Sequence, residues 1–381
     1  MKQLNKINME NQSRKVSLFT PVKLGKFNLA HRIVLPPLTR MRTVNGFIPN
    51  DWMIDYYSQR ATKGGFIVTE GTVINETGHG YYGAPGIYTD DQVEGWKKVT
   101  AAVHEQGGII FNQLFHVGRQ SHRSLQPNGV EPIGASAIPH DDLVFTQQGW
   151  VPAEPNRALE TDEVKALVKD YHKAALRAKE AGFDGVELHG ANGYLIDQFL
   201  QDGTNHRNDE YGGSMENRVR LMMEVLEVMV DVWGADAVGV RLGPSGTFNS
   251  MSDSDPFALF GYAAERLNEL DLAYLHIIEP RINGNIEIAE GLEPVGSMHL
   301  RGIFKNKLIA AGGFDLEKGE DILEKGYADL VAFGRYFIAN PDLVFRFQNG
   351  LPLNAYDRDT FYGGTNVGYT DYPFFEESVE V

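Results

Sequence analysis

From Ile33 onward, short runs of apolar and β-branched residues alternate with longer stretches whose apolar positions recur at helical spacing. That alternation marks repeated β-α units around a parallel sheet. Strands are predicted near Ile33–Leu35, Phe66–Thr69, Ile109–Gln113, Gly185–His189, Val238–Leu242, Tyr274–Ile278, Leu308–Ala310 and Leu330–Phe333. The segments between them carry helix boundaries of their own. Thr89 and Gln92 stand in capping-box spacing before Val93, Trp96, Val99 and Val103, and Gly107 ends that segment. Thr161 to Gly182 repeats the pattern with Val164, Leu167, Tyr171, Ala175 and Ala178, and Ser214 to Gly234 does so with Leu221, Met222, Val225 and Leu226. Eight strands, each followed by a helix, predict one α/β domain, a closed (β/α)8 TIM barrel over residues 17–373.

Two segments exceed a minimal barrel. Residues 117–156 form a long excursion after strand three, and a connection of that length in a compact domain points to a lid subdomain. Within it, Leu143–Thr146 and Trp150–Val151 flank Gln147-Gln148-Gly149, a hairpin pattern. Phe19 to Leu29, with Lys23-Leu24-Gly25-Lys26 between apolar residues, is expected to form an N-terminal hairpin plugging the barrel bottom. Residues 1–16 are polar and lack the apolar block of a signal peptide, so they are expected to be a disordered leader, and 374–381 a C-terminal tail.

Composition narrows the partners. A 42% apolar chain of 381 residues can bury a large core, and it shows no break that would divide it into two domains. The net charge of −16 disfavours nucleic acid and anionic membranes. With no cysteine there is no disulfide framework, thiolate nucleophile or thiolate metal site, and a reducing cytoplasm suits the chain. No stretch approaches the ~20 apolar residues of a membrane span. Monomer and homodimer both remain open.

The chemistry concentrates where strand four ends, in Val186-Glu187-Leu188-His189-Gly190-Ala191-Asn192-Gly193-Tyr194. Glu187 and His189 share one face of the strand, and the glycines let the chain turn so that Asn192 and Tyr194 reach the same opening. His189 and Asn192 can both donate to one oxygen, and Tyr194 adds a phenolic proton with a reference pKa of about 10. Such a set suits a reaction that builds charge on a carbonyl or nitro oxygen. Glu187 and His189 lack further ligands for a metal, and no metal is expected.

In a barrel, function sits where the other strands end too. Strand one leads into Pro36-Pro37-Leu38-Thr39-Arg40, strand two into Glu70-Gly71-Thr72, and strand three ends at Gln113 before Phe115 and His116. Strand five presents Arg241, strand seven runs into Ala311-Gly312-Gly313-Phe314 and strand eight into Gly334-Arg335. Gly312-Gly313 alone reads equally as a tight strand-to-helix turn or as a phosphate cradle, and Gly334-Arg335 after the next strand tilts the balance to phosphate. Thr39, Gly71, Gln113 and Arg241 then surround the centre, a mixture that suits a flat heterocycle such as isoalloxazine. Arg241 would balance negative charge on its pyrimidine side, or else pair with a core carboxylate such as Glu187.

These residues carry a family resemblance. Pro36 to Arg40, Gly80-Tyr81-Tyr82-Gly83-Ala84-Pro85-Gly86, Gln113-Leu114-Phe115-His116, Glu187 to Tyr194, the Asn205 to Arg218 segment, Val331 to Arg335, Phe361-Tyr362-Gly363-Gly364 and Gly368 to Pro373 together resemble the Old Yellow Enzyme family of FMN-containing ene-reductases, over most of Leu18 to Tyr372. The resemblance implies a barrel with non-covalent FMN, reduced by NAD(P)H with NADPH preferred over NADH, and reoxidised by an activated alkene or nitro compound. By position, Thr39 would lie near flavin O4, Gln113 at the pyrimidine edge and Arg241 near N1 and O2. Pro36, Pro37, Leu38, Gly71 and Ala311 would complete the cofactor wall, and Gly312, Gly313, Gly334 and Arg335 would hold the phosphate. His189 and Asn192 would grip the substrate oxygen, Tyr194 would protonate the neighbouring carbon, and Tyr81, Phe115 and Tyr362 would line the substrate pocket. Many relatives carry tryptophan at the position of Phe115 and alanine at that of Gly71; the smaller Phe115 is expected to enlarge the pocket, while Asn192, where some relatives have histidine, keeps a neutral donor and changes less.

Rival barrel chemistries fit less well. An aldolase needs a strand-end lysine for a Schiff base, and a glycosidase needs two carboxylates across the mouth. Neither appears at these strand ends. A flavin-binding protein without turnover is the strongest rival from another class.

Overall fold

The computed structural model describes residues 16–376 except 44, 281, 284–285 and 288–294. Residues 1–15 of the expected leader and 377–381 of the expected tail lie outside the described residues. The barrel strands are β1 (Ile33–Leu35), β2 (Phe66–Val68), β3 (Ile109–Phe115), β4 (Gly185–Gly190), β5 (Val238–Leu242), β6 (Tyr274–Ile278), β7 (Lys307–Ala311) and β8 (Leu330–Ala332). All run parallel to their neighbours, and β4 beside β3 and β8 beside β1 close the ring. Their mostly apolar runs suit strands covered on both faces, by side chains inside and helices outside. Each strand lies where the hydrophobic pattern predicts, with β3 extending two residues further, to Phe115.

The helices are α1 (Asp51–Arg60), α2 (Asp90–Glu105), α3 (Thr161–Glu180), α4 (Leu195–Leu200), α5 (Met215–Trp233), α6 (Pro256–Leu267), α7 (Ser297–Arg301), α8 (Leu316–Glu324), α9 (Gly334–Ala339) and α10 (Leu343–Asn349). The capping box at the start of α2 forms: Thr89 Oγ1 accepts the Gln92 N–H at 3.3 Å, and Gln92 Oε1 accepts the Thr89 N–H at 3.1 Å. Behind it Val93, Trp96, Val99 and Val103 are buried, each contributing roughly 1.5–3 kcal/mol.

The bottom hairpin pairs Val22–Leu24 with Phe27–Leu29. Lys26 N–H donates to the Asp236 carbonyl just before β5, and Phe27 packs edge-on against Phe111, which places the hairpin over the N-terminal mouth. The lid carries the expected hairpin, Leu143–Thr146 with Gly149–Pro152. Tyr82 N–H donates to the Phe145 carbonyl at 2.6 Å, and Arg119 donates to the Ile138 and Asn249 carbonyls, both at 2.9 Å. The Tyr82–Phe145 and Arg119–Asn249 bonds tie residues 117–156 to the barrel rim, and the Arg119–Ile138 bond braces that segment internally. Among the described residues no helix is long and apolar enough to cross a membrane.

Candidate active site

The strand ends enclose one cavity of about 540 Å³, within the range of small-molecule and cofactor sites. Pro36 to Thr39 after β1, Arg241 on β5, Ala311 to Gly313 after β7, and Gly334 with Arg335 after β8 form one side. Asn192, Tyr194, Tyr81 and Tyr362 face the same space. Gly71, Gln113, Phe115 and His189 are set back from it. Phe115 ends β3 with its ring against Gly71, where a Cβ would meet Phe115 Cγ at 3.0 Å.

His189 is 5% exposed, and its Nδ1 accepts the Ala191 N–H at 3.3 Å. With Nδ1 an acceptor, the neutral ring carries its proton on Nε2. Burial, then Arg241 and His276, hold its pKa well below the ordinary 6.5, so it acts as a neutral donor. Asn192 adopts a left-handed backbone (φ 59°), and its carbonyl accepts from Asn249 Nδ2 at 2.8 Å. That turn brings Tyr194 back over the strand end, edge-on to His189 with ring centroids 4.9 Å apart. The Tyr194 hydroxyl donates to Tyr81 Oη at 3.0 Å, and burial pushes its pKa well above 10.

The donor set on the opposite side fits a flavin phosphate and ring. Arg241 Nε is buried and meets no acceptor among the protein groups. Its expected alternative partner is engaged elsewhere: Glu187 accepts from Gln113 Nε2 at 2.8 Å and pairs with His276 Nδ1 at 2.9 Å. Gly312 (φ 119°) and Gly313 (φ 63°) hold conformations that disfavour side chains, which bares the backbone at the end of β7. A Cβ on Gly334 would press on Leu38 Cδ2 at 3.2 Å. A buried guanidinium Nε without an acceptor and a stripped backbone cradle in one cavity are what a ring with acceptor oxygens and a phosphate tail require.

Three features escaped the sequence reading. Leu143 and Trp150 of the lid hairpin line the cavity although each is about half exposed, and Trp150 packs edge-on against Tyr362 at 5.7 Å and Tyr81 at 6.3 Å. Exposed aromatics on a hairpin carry no pattern that separates a cavity wall from surface. Buried arginines also shape the rim: Arg40 donates to the Phe361 and Gly368 carbonyls and Arg42 to those of Thr365 and Thr360, each at 2.8–2.9 Å, which fixes the segment bearing Tyr362. Asp197 on α4 accepts the Gly193 N–H at 2.8 Å and braces the turn beneath Asn192. His116 is structural, its Nδ1 accepting the Gly118 N–H at 3.0 Å.

The chain and its fold are similar to known proteins. A family model described as the NADH:flavin oxidoreductase / NADH oxidase family matches residues 17–354. Rice (Oryza sativa subsp. japonica) 12-oxophytodienoate reductase 1 is 49% identical over 369 residues, spanning 95% of this chain and 94% of that protein. The structure of morphinone reductase in complex with tetrahydroNAD superposes with a TM-score of 0.88 at 45% identity, covering 96% of this chain and 99% of that one. An old yellow enzyme homologue from Zymomonas mobilis gives 0.90 at 42% identity, covering 94% and 100%.

Proposed function

The chain belongs to the NADH:flavin oxidoreductase / NADH oxidase family, the Old Yellow Enzyme family, and from that premise we propose that it reduces the activated C=C bond of α,β-unsaturated carbonyl or nitro compounds. Bound FMN would supply the two-electron hydride chemistry that links a nicotinamide to the alkene. Gly312, Gly313, Gly334 and Arg335 would hold its phosphate, and Thr39, Gln113 and Arg241 its ring, with Arg241 offsetting negative charge. His189 Nε2–H and the Asn192 amide donate to the substrate oxygen, each worth about 3 kcal/mol as negative charge grows there. Tyr194 delivers a proton to the α-carbon, a general-acid contribution of roughly 10²–10⁴-fold. Reductant and substrate share one cavity, so they bind in turn.

The observation that carries this proposal is the shared cavity, with the orphaned Arg241 Nε and glycine cradle on one side and Asn192 and Tyr194 facing it. Nitroesters, nitroaromatics and quinones extend the same substrate class. NADPH as preferred reductant follows from the resemblance, while the relative solved with tetrahydroNAD makes NADH the competitor; kcat/KM with each decides. A net charge of −16 and the lack of cysteine support a cytoplasmic setting, as monomer or homodimer. The test is NADPH oxidation by FMN-loaded protein with and without cyclohexenone. Yellow protein that leaves NADPH intact overturns turnover and leaves only flavin binding. For Tyr194→Phe, enone turnover should collapse while flavin reduction by NADPH is spared, and equal slowing of both would remove Tyr194 from the assigned role.

A further inference from the structure

The layer beneath the cavity holds an anion that the proposed reaction does not use. Glu187 on β4 and His276 on β6 are both 0% exposed, yet they are paired at 2.9 Å across the barrel interior. On the strand between them, Gly239 of β5 lies beside Glu187 and makes room for the Tyr274 ring, which a Cβ there would strike at 2.2 Å. The second carboxylate oxygen accepts from Gln113 Nε2 at 2.8 Å. Arg241 stands next to His276 in the strand register and next to His189 on its other side.

Two consequences follow from this arrangement. An amide whose nitrogen donates to a carboxylate has its oxygen left as the acceptor end. Glu187 thus engages one of the two Gln113 N–H groups and fixes the amide, leaving its oxygen as an acceptor for an N–H of a bound ring. The carboxylate also adds a fixed negative charge close to the guanidinium. Burial alone would raise the Glu187 pKa, but His276, Arg241 and Gln113 outweigh it and hold it below the ordinary value, so the group stays ionised. A buried anion under a redox ring disfavours the more negative, reduced form, and in a low-dielectric interior it acts at a distance.

We infer that Glu187 is a positioning residue for the flavin: it orients the Gln113 amide and lowers the reduction potential of bound FMN without touching it. This inference rests on the flavin reading above. It is tested with FMN-loaded full-length protein by spectroelectrochemical titration together with FMN dissociation constants for the oxidised form. Glu187→Gln keeps the side-chain shape and an oxygen for Gln113 while deleting the charge. Its midpoint potential should rise by about 30 mV or more, equivalent to a tenfold gain in the preference for reduced over oxidised cofactor, with oxidised FMN binding within about threefold of wild type. Glu187→Asp keeps the charge and withdraws the oxygen from Gln113, so its potential should stay near the wild-type value while oxidised FMN binds roughly tenfold more weakly. This second variant also serves if the first fails to fold. An unchanged or lowered potential in Glu187→Gln, or tight FMN binding in Glu187→Asp, overturns the inference alone. Wild-type protein that binds no FMN overturns the flavin reading and the inference with it.

Discussion

The hydroxyl oxygens of Tyr194 and Tyr81 lie 3.0 Å apart, the first donating to the second. Burial pushes the Tyr81 phenol up to about 12 and the Tyr194 phenol well above 10, so both are neutral in the resting protein. Once Tyr194 gives its proton to a substrate carbon, a buried phenolate is left, and the Tyr81 hydroxyl is the group placed to turn and donate to it. A hydrogen bond to a charged group contributes about 1.5–3 kcal/mol. Tyr81→Phe is therefore expected to slow enone reduction by roughly 10- to 100-fold while leaving reduction by NADPH unchanged. Stopped-flow measurement of the two half-reactions checks this, and a normal enone rate would show that Tyr81 only fills the wall.

The Gly71–Phe115 contact predicts a substrate-size effect. A methyl on Gly71 would sit 3.0 Å from Phe115 Cγ and 3.2 Å from Cδ1, so the ring must yield. Phe115 in turn packs against Tyr194 at 4.7 Å and His189 at 5.4 Å between centroids. Gly71→Ala should cost about 1–3 kcal/mol, as overpacking does, and should lower kcat/KM for bulky enones more than for cyclohexenone. Thermal melts and a substrate series ordered by size report both effects. A uniform loss across the series would remove Phe115 from any part in selectivity.

The barrel was legible because its strands are short, mostly apolar runs between helical segments, even where a polar residue interrupts them, as Glu187 does in β4 and His276 in β6. The rim was legible for a related reason: glycines and polar side chains directly after such runs have few structural uses. What stayed hidden depends on long-range pairing. Glu187 and His276 are 89 residues apart in the chain, and nothing local to either marks the other as its partner. Asp197 looks like an ordinary first-turn acid on α4, where helix starts favour carboxylates anyway, and only the fold reveals its burial. The sequence marks Phe115 as a pocket residue, but not its contact with Gly71 or its packing on Tyr194, which only the fold reveals.

A neutral His189 predicts a particular pH response. Burial, Arg241 and His276 all oppose its protonation, so its charge does not change on crossing its ordinary pKa of 6.5. Binding of a phenol that ionises above the tested range should show no inflection between about pH 5 and 7. His189→Ala should weaken that binding by roughly 10- to 100-fold through loss of one donor to a developing anion. Titration of flavin absorbance with the phenol measures both. Tighter binding on the acid side of pH 6.5 would mean that an imidazolium serves the site.

Asp197 makes the stability of the fold depend on pH. Its Oδ2 accepts the Gly193 N–H and its Oδ1 the Gln201 amide, both at 2.8 Å. Burial nevertheless raises its pKa from 3.8 to about 7, against the lowering by Gln201 and Gly193. The folded protein thus keeps a proton that the unfolded chain releases between those values. The resulting stabilisation is complete below about pH 4 and is lost as pH rises through about 7, an effect on the order of 4 kcal/mol at most. Other groups change stability over the same range. Glu70, also raised to about 7, acts in the same direction, and His31, His79, His116 and His140, lowered to about 3 to 4, destabilise the fold as pH falls below 6.5. The comparison must therefore be differential. Asp197→Asn removes one titration and leaves the others, so the unfolding free energy of wild type minus variant should decline steadily from pH 4 to pH 8. Denaturant melts at intervals across that range measure it, and a difference independent of pH would mean that Asp197 is ionised throughout.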